Sequence, residues 1–319
     1  MQNVTAMNND TYLTLITCYH FSRMNTDDYD RLLRSLRASI REVGSTGRVV
    51  LVANGTKDGA ESPLSVIGDL PLESQKNVFP VTLQSNARNV GGLNAGIDYA
   101  LKFPPDRRDE WIGQVQSSVV LQPEWRAKLF SDTPKQDAFF GRLVYEDDPS
   151  VIWADGHILK CVLTMNDHFG KSISSTPATT TGAFPCLSAA VFRKEAVEAV
   201  VKKYGNMVSE ILPHYGDCTD IALRLVAGSH GVFEFRPDAI AWKRRPKRDL
   251  TQEAIWQLVA ARLYYKDRQQ CAEQRLIKDA KHRTGFVDAL RQAKAIVSRL
   301  YAVTNADPPR GGAIDSKWK

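Results

Sequence analysis

An α/β fold, with a parallel sheet flanked by helices and a helical C-terminal extension, is predicted from three observations. Short apolar, β-branched runs alternate with segments of helical spacing from the N-terminus onward. Each run closes in a polar or glycine-containing turn. Beyond about residue 250 the pattern is helical alone. Strands that alternate with helices pair in parallel, because the intervening helix carries the chain back across the sheet.

In order along the chain, YLTLITCY is a first strand ending near Tyr19, and TDDYDRLLRSLRASIREVG is a helix with Leu32, Leu33, Leu36 and Ile40 on one face and Gly44 as its stop. RVVLVANG, NVFPVTLQ and EWIGQVQ are the second, third and fourth strands, with a helix over GGLNAGIDYALKF before the last of these. The stretch from about 144 to 181 reads as irregular and polar. GAFPCLSAAVFRKEAVEAVVKKYG is a strand–helix unit, and GDCTDIALRLVAGSHG is a helix with an acidic start and a glycine stop. A last helix places Phe286, Leu290, Ala293, Val297 and Leu300 on one face, which suits packing on the body or contact with a membrane surface, and a polar tail follows it. Ligands on such sheets sit at the carboxyl ends of the strands, which directs attention to the loops near Tyr19, Asn54, Asn86 and Gln116.

Composition narrows the class. Of 319 residues, 43% are apolar and 24% charged, as in soluble globular proteins. No apolar run approaches the roughly 18 residues of a membrane-spanning helix, and the N-terminus lacks the basic start and apolar core of a secretory signal. The five cysteines, Cys18, Cys161, Cys186, Cys218 and Cys271, have no paired spacing. That argues against a zinc knuckle or a disulfide framework and fits a reducing cytoplasm. The net charge is +6, and WKRRPKR, starting at Trp242, places five basic residues in seven positions. This balance suits an anionic partner such as a nucleotide, a nucleic acid or an acidic membrane surface.

Six stretches, in order and at matching separations, resemble family-two glycosyltransferases, the inverting enzymes of GT-A type: VVLVANGTKDGA, SNARNVGGLNAGIDYAL, VIWADGHI, NDHFGKS, TTTGAFPCLSAAVFRKEAVEAV and GDCTDIALRL. Together they span roughly residues 12 to 245. The resemblance implies a Rossmann-like, nucleotide-sugar-binding mixed sheet flanked by helices over residues 1–248, with a donor half at about 10–125 and an acceptor half at about 126–248. The helical extension would occupy 249–319. It implies a nucleoside-diphosphate sugar as donor and a saccharide acceptor, a polysaccharide or glycolipid. DNA carrying a modified base is a second acceptor class, and a catalytically dead binding module a third reading.

Residue chemistry accompanies the resemblance. Gly91, Gly92 and Gly96 let a helix start approach a ligand closely, and that terminus suits a diphosphate; the same glycines also suit tight helix–strand packing. Asn89 and Asn94 can bond ribose or sugar hydroxyls. Tyr19 and Asn54 stand at strand ends where the family holds its nucleobase, although Ala53 replaces the family's usual aspartate. Asp217 is the candidate general base and Asp220 its support, with Cys218 at a position the family fills with an acid. An i,i+4 ion pair of Asp220 with Arg224 is the alternative role for the second aspartate. Gln116, Ser117 and Ser118 occupy the place of the family's metal-binding carboxylates, and neutral side chains offer no charge to offset dehydration of the ion. No bound metal is therefore expected. Lys243 or Arg244 would neutralise the leaving diphosphate instead. Trp153, Asp155, His157, His168 and Thr181 fall in the region that lines acceptor pockets in the family, where an aromatic ring can stack on a sugar.

Overall fold

The computed structural model describes residues 11–20, 25–102, 110–131, 136–160, 163–165, 168–175, 183–210, 217–229 and 231–245. The expected helix over 286–300, the extension over 249–319, the polar tail, Cys161, Cys271, Thr181 and residues 246–248 of the basic run lie outside them.

The chain opens with β1 (Tyr12–Tyr19) and α1 (Thr26–Val43), the helix starting at an Asn25 cap whose side chain accepts from the Asp28 amide at 2.8 Å. β2 (Gly47–Asn54), α2 (Pro63–Gly68), α3 (Leu72–Gln75), β3 (Val78–Leu83), α4 (Arg88–Lys102) and β4 (Glu110–Val115) follow. Then come β5 (Val119–Leu121), α5 (Trp125–Leu129), β6 (Ala138–Tyr145), β7 (Ile152–Ala154), β8 (His157–Lys160) and β9 (Leu163–Met165). β10 (Ala183–Phe184), β11 (Ala189–Arg193), α6 (Lys194–Tyr204), α7 (Asp217–Gly228) and β12 (Phe233–Lys243) complete the described chain.

The main sheet runs β3-β2-β1-β4-β11-β6-β12-β5, with β7 added on β6; β10, β8 and β9 form a small second sheet. β3, β2, β1 and β4 are parallel, as the alternation predicted. The sheet as a whole is mixed. β11 runs antiparallel to both β4 and β6, because the turn after β10 returns the chain to the sheet beside the carboxyl end of β4, with Ala189 opposite Val115. The region expected to be irregular contains β7, β8 and β9. These strands are three or four residues long, too short for alternation to register. The reading also passed over β6, fully buried from Ala138 to Tyr145, and β12. The sheet continues through the boundary near residue 125 that separated the two expected halves.

Alternation along the strands builds two cores. Leu13, Leu15, Val49, Leu51 and Ala53 face one side, with Leu32, Leu36, Trp111 and Trp125. Ile16, Val50 and Val52 face the other, with Leu93, Ile97, Val197, Ile221 and Leu225 of α4, α6 and α7. Burying each such side chain contributes roughly 1.5–3 kcal/mol. Gly96 is the contact point of α4: a Cβ there would lie 2.4 Å from Ile16 Cγ2. One irregularity matters for the site. β12 pairs with β6 in parallel, but its register slips between Arg236 and Ile240. Gly141 faces that bulge, where any Cβ would meet the Ala239 carbonyl oxygen.

Candidate active site

The carboxyl ends of β1, β2 and β4, the start of β11, the end of β12 and the first turns of α4 and α7 meet at one edge of the sheet, where the sequence directed attention. Lys243, the last residue of β12, is opposite Val119 of β5 and Tyr145 of β6. Its ammonium is buried and donates to Gln116 Oε1 at 2.5 Å and to Ser188 Oγ at 2.7 Å. Ser188 Oγ also donates to Gln116 Oε1 at 3.0 Å, and the Gln116 amide is fixed by the Ser188 carbonyl at 2.9 Å. Burial pushes the Lys243 pKa below the ordinary lysine value, against the pull of Cys186, Cys218 and Asp217 nearby. Ser117 and Ser118 form the half-buried turn between β4 and β5.

Asp217 opens α7. Its carboxylate accepts from Asn89 Nδ2 at 3.3 Å and from the Cys218 amide at 2.9 Å, so Asn89 ties the first turn of α4 to that of α7. Asp220 is enclosed. Ser209 N donates to it at 2.6 Å, and Arg224 pairs with it at 2.9 Å, which is the i,i+4 ion pair the spacing allowed. Burial lifts its pKa to about 6, with Arg224 and Ser209 opposing and Asp217 adding to the rise.

Other expected ligand groups are engaged within the protein. Asn54 donates to the Arg88 carbonyl at 2.7 Å and accepts from the Ala87 amide at 2.8 Å. It thereby holds Arg88, the non-glycine residue with φ of 62° at the start of α4. Asn94 clamps Val208 through both ends of its amide, at 2.8 and 3.1 Å. Gly92 packs beneath Asn54 and Cys18, and Gly91 lies over Ala87. Buried Tyr19 donates to the Glu61 carbonyl at 2.6 Å. Arg244 points away to the surface and pairs with Asp28 of α1 at 2.9 Å.

On the far side of Lys243, Trp153 packs edge-on against Tyr145 and Phe169, with the lysine ammonium 5.6 Å from its ring centre. Asp155 is buried in a bidentate pair with Arg142 at 2.9 and 3.0 Å, and His168 Nδ1 lies 3.2 Å from it. The sequence reading missed Ser188. It named His157, Cys186 and Cys218 separately but did not bring them together; their ligand atoms lie within 4.8 Å of one another. Cysteine spacing argued against such a group, but spacing detects only ligands carried on one local loop, and these arrive from three elements. The Cys186 thiol is pulled down by a hydrogen bond from Cys218 and, despite burial, by His157 and Lys243, while Cys218 is pushed up.

No family model matches the chain, and no curated protein is similar to it in sequence. Solved structures are similar in fold. TarS 1-349 of S. aureus aligns with a TM-score of 0.53 at 13% identity, over 92% of this chain and 83% of that one. The chain shares the fold of TarS 1-349. The same TarS segment in complex with UDP-GlcNAc aligns at 0.50 and 12% identity, over the same shares of both chains. The mannosyltransferase PcManGT from Pyrobaculum calidifontis, in complex with GDP-Man and Mn2+, aligns at 0.47 and 12% identity, over 91% of this chain and 75% of that one. The Rossmann-like mixed sheet flanked by helices is the fold the sequence resemblance implied. Among the described residues no helix is long and apolar enough to cross a membrane.

Proposed function

We propose that this protein is an inverting glycosyltransferase that takes a nucleoside-diphosphate sugar and compensates the leaving diphosphate with Lys243 rather than with a hard metal ion. The observation that carries the reading is the Lys243 ammonium, buried at the carboxyl edge of the sheet and held by two neutral oxygens. A buried cation bonded to neutral groups retains its charge for an incoming anion. The residues there do not fit a hard dication: Gln116, Ser117 and Ser118 supply no negative charge, and the Gln116 oxygen already receives the ammonium. The shared fold with TarS 1-349, also solved with UDP-GlcNAc bound, supports a nucleotide-sugar donor.

In this mechanism Asp217 accepts the proton of the acceptor hydroxyl as that oxygen attacks the anomeric carbon, and the diphosphate departs on the opposite side toward Lys243. Asn89 orients the base through its 3.3 Å bond. Asp220, enclosed by Ser209 and Arg224, positions α7 instead of moving protons. Lys243 takes the diphosphate role in preference to Arg244, whose charge is spent on Asp28 at the surface. Trp153, with its neighbour Phe169, is the acceptor platform, and a saccharide is the acceptor. The test is turnover of a panel of nucleoside-diphosphate sugars with mixed saccharide acceptors in excess chelator. Turnover that persists there and is lost in Lys243→Met supports the reading. Strict manganese dependence removes the role of Lys243, and no turnover or hydrolysis of any donor removes the transferase.

A further inference from the structure

Two thiols and an imidazole beside the lysine have no part in that reaction. His157 opens β8, Cys186 lies between β10 and β11, and Cys218 is the second residue of α7. The pairing of β8 with β10 places His157 opposite Phe184, two residues before Cys186. The first turn of α7 brings Cys218 in from the other side, where its sulfur accepts from the Leu187 amide at 3.4 Å. One ligand atom from each residue lies within 4.8 Å of the other two. Sulfur at about 2.3 Å and nitrogen at about 2.0 Å from a tetrahedral ion stand roughly 3.5–3.8 Å apart, so side-chain rotations of about 1 Å close the set. Among the described residues His157 Nε2 is buried without a hydrogen-bond partner of normal geometry, and the group nearest in chemistry is the Cys186 thiol that the imidazole influences.

We propose that His157, Cys186 and Cys218 form a three-ligand site for a soft divalent cation, Zn2+, whose fourth position is left to water. Thiolate and imidazole select zinc over magnesium or manganese, so this site is separate in chemistry from the turn of Gln116, Ser117 and Ser118, which supplies no carboxylate for a hard ion. Electrostatics permit it beside Lys243. Each thiol gives its proton to solvent on binding, and two thiolates cancel the charge of the dication, so the lysine gains no cationic neighbour. Ser188 separates the two, with its Oγ 2.7 Å from the ammonium and 3.6 Å from the Cys186 sulfur.

The test uses the full chain, stripped of metal and reduced with a phosphine, and titrates Co2+ as the spectroscopic stand-in for Zn2+. The expected result is a one-equivalent end point with sulfur-to-cobalt charge-transfer absorption and intense tetrahedral visible bands, both removed by Zn2+. Cys186→Ser and Cys218→Ser should each weaken the charge-transfer band and lower affinity by more than the roughly 10–100-fold that loss of an outer-shell partner costs. His157→Gln should keep the thiolate band while lowering affinity. Because a core variant can fail to fold, a second readout uses the unmodified protein: Zn2+ should protect Cys186 and Cys218, but not Cys18, from alkylation measured peptide by peptide. No charge-transfer band in the reduced protein, a band unchanged in both serine variants, or equal alkylation with and without Zn2+ would each overturn the site.

Discussion

The two ends of the main sheet each bury a charge and treat it in opposite ways. At the amino end of β1, β2 and β4, Glu110 sits among complements: Thr14 donates to it at 3.0 Å, Lys194 pairs with it at 3.0 Å, and Arg48 reaches it at 3.4 Å. Arg48 is further satisfied by Thr14 and by the Ala100 carbonyl. At the carboxyl end, Lys243 has Gln116 and Ser188, both neutral, as its hydrogen-bond partners. The first arrangement is what a buried ion needs to be tolerated in a core. The second leaves a charge whose hydrogen-bond partners are neutral, with Asp217 acting on it only from further off. The difference separates a group that holds the sheet together from one left without a counter-ion at hydrogen-bond distance, although both are buried ions in the same sheet.

Substitutions sharpen that contrast, beginning with the reaction itself. Asp217→Asn should lower kcat by about 10²–10⁴-fold while donor affinity, measured by calorimetry, stays near wild type; retained turnover would place the base elsewhere. Glu110→Ala, which strands Arg48 and Lys194, should cost about 3–5 kcal/mol in urea unfolding. Lys243→Met should lower turnover by about 10²–10³-fold yet leave the protein as stable as wild type or more so, because a desolvated cation is removed. Equal destabilisation by the Glu110 and Lys243 variants would break the contrast between the two ends.

The next effect is in pH. The Lys243 pKa is depressed by burial, so above it the folded protein loses a proton that the unfolded chain keeps until the ordinary lysine range. In that window the wild type should gain stability as pH rises, while its affinity for a nucleoside diphosphate, which needs the ammonium, should fall by up to about tenfold per unit. Lys243→Met should show neither slope in paired unfolding and binding titrations. The smallest effect belongs to Arg244→Gln. Its surface pair with Asp28 contributes less than about 1 kcal/mol, and nucleotide affinity should be unchanged; a large loss of affinity would return the diphosphate role to Arg244.

Much of this was legible in the sequence, for identifiable reasons. β1 through β4 carry continuous apolar runs with clear stops, and their ends fall where periodicity put them. Asp217 and the Lys243–Arg244 pair drew attention because acidic helix starts and basic runs are local signals. Roles that depend on the far side of the fold were not legible. Asn54 and Asn94 look like ligand groups in one dimension, and only the fold reveals that Ala87, Arg88 and Val208 take their amides. Trp153 and Asp155 are neighbours in sequence, but the Arg142 that holds Asp155 lies on β6, a strand the reading passed over. Ser188 and the His157–Cys186–Cys218 group carry no local pattern at all.

The slip in β12 has a consequence for how the lysine is delivered. Between Arg236 and Ile240 the strand takes four steps while β6 takes one, from Gly141 to Arg142, which leaves a surplus of three residues. An odd surplus inverts the in–out alternation beyond it, and it is this inversion that turns Ala241 and Lys243 inward together. A one-residue deletion in Pro237–Asp238–Ala239 that shifted the pairing beyond it by one position would turn Trp242 to the face Lys243 now occupies and the lysine away from it. Register in that short segment therefore decides which face of the sheet the lysine meets.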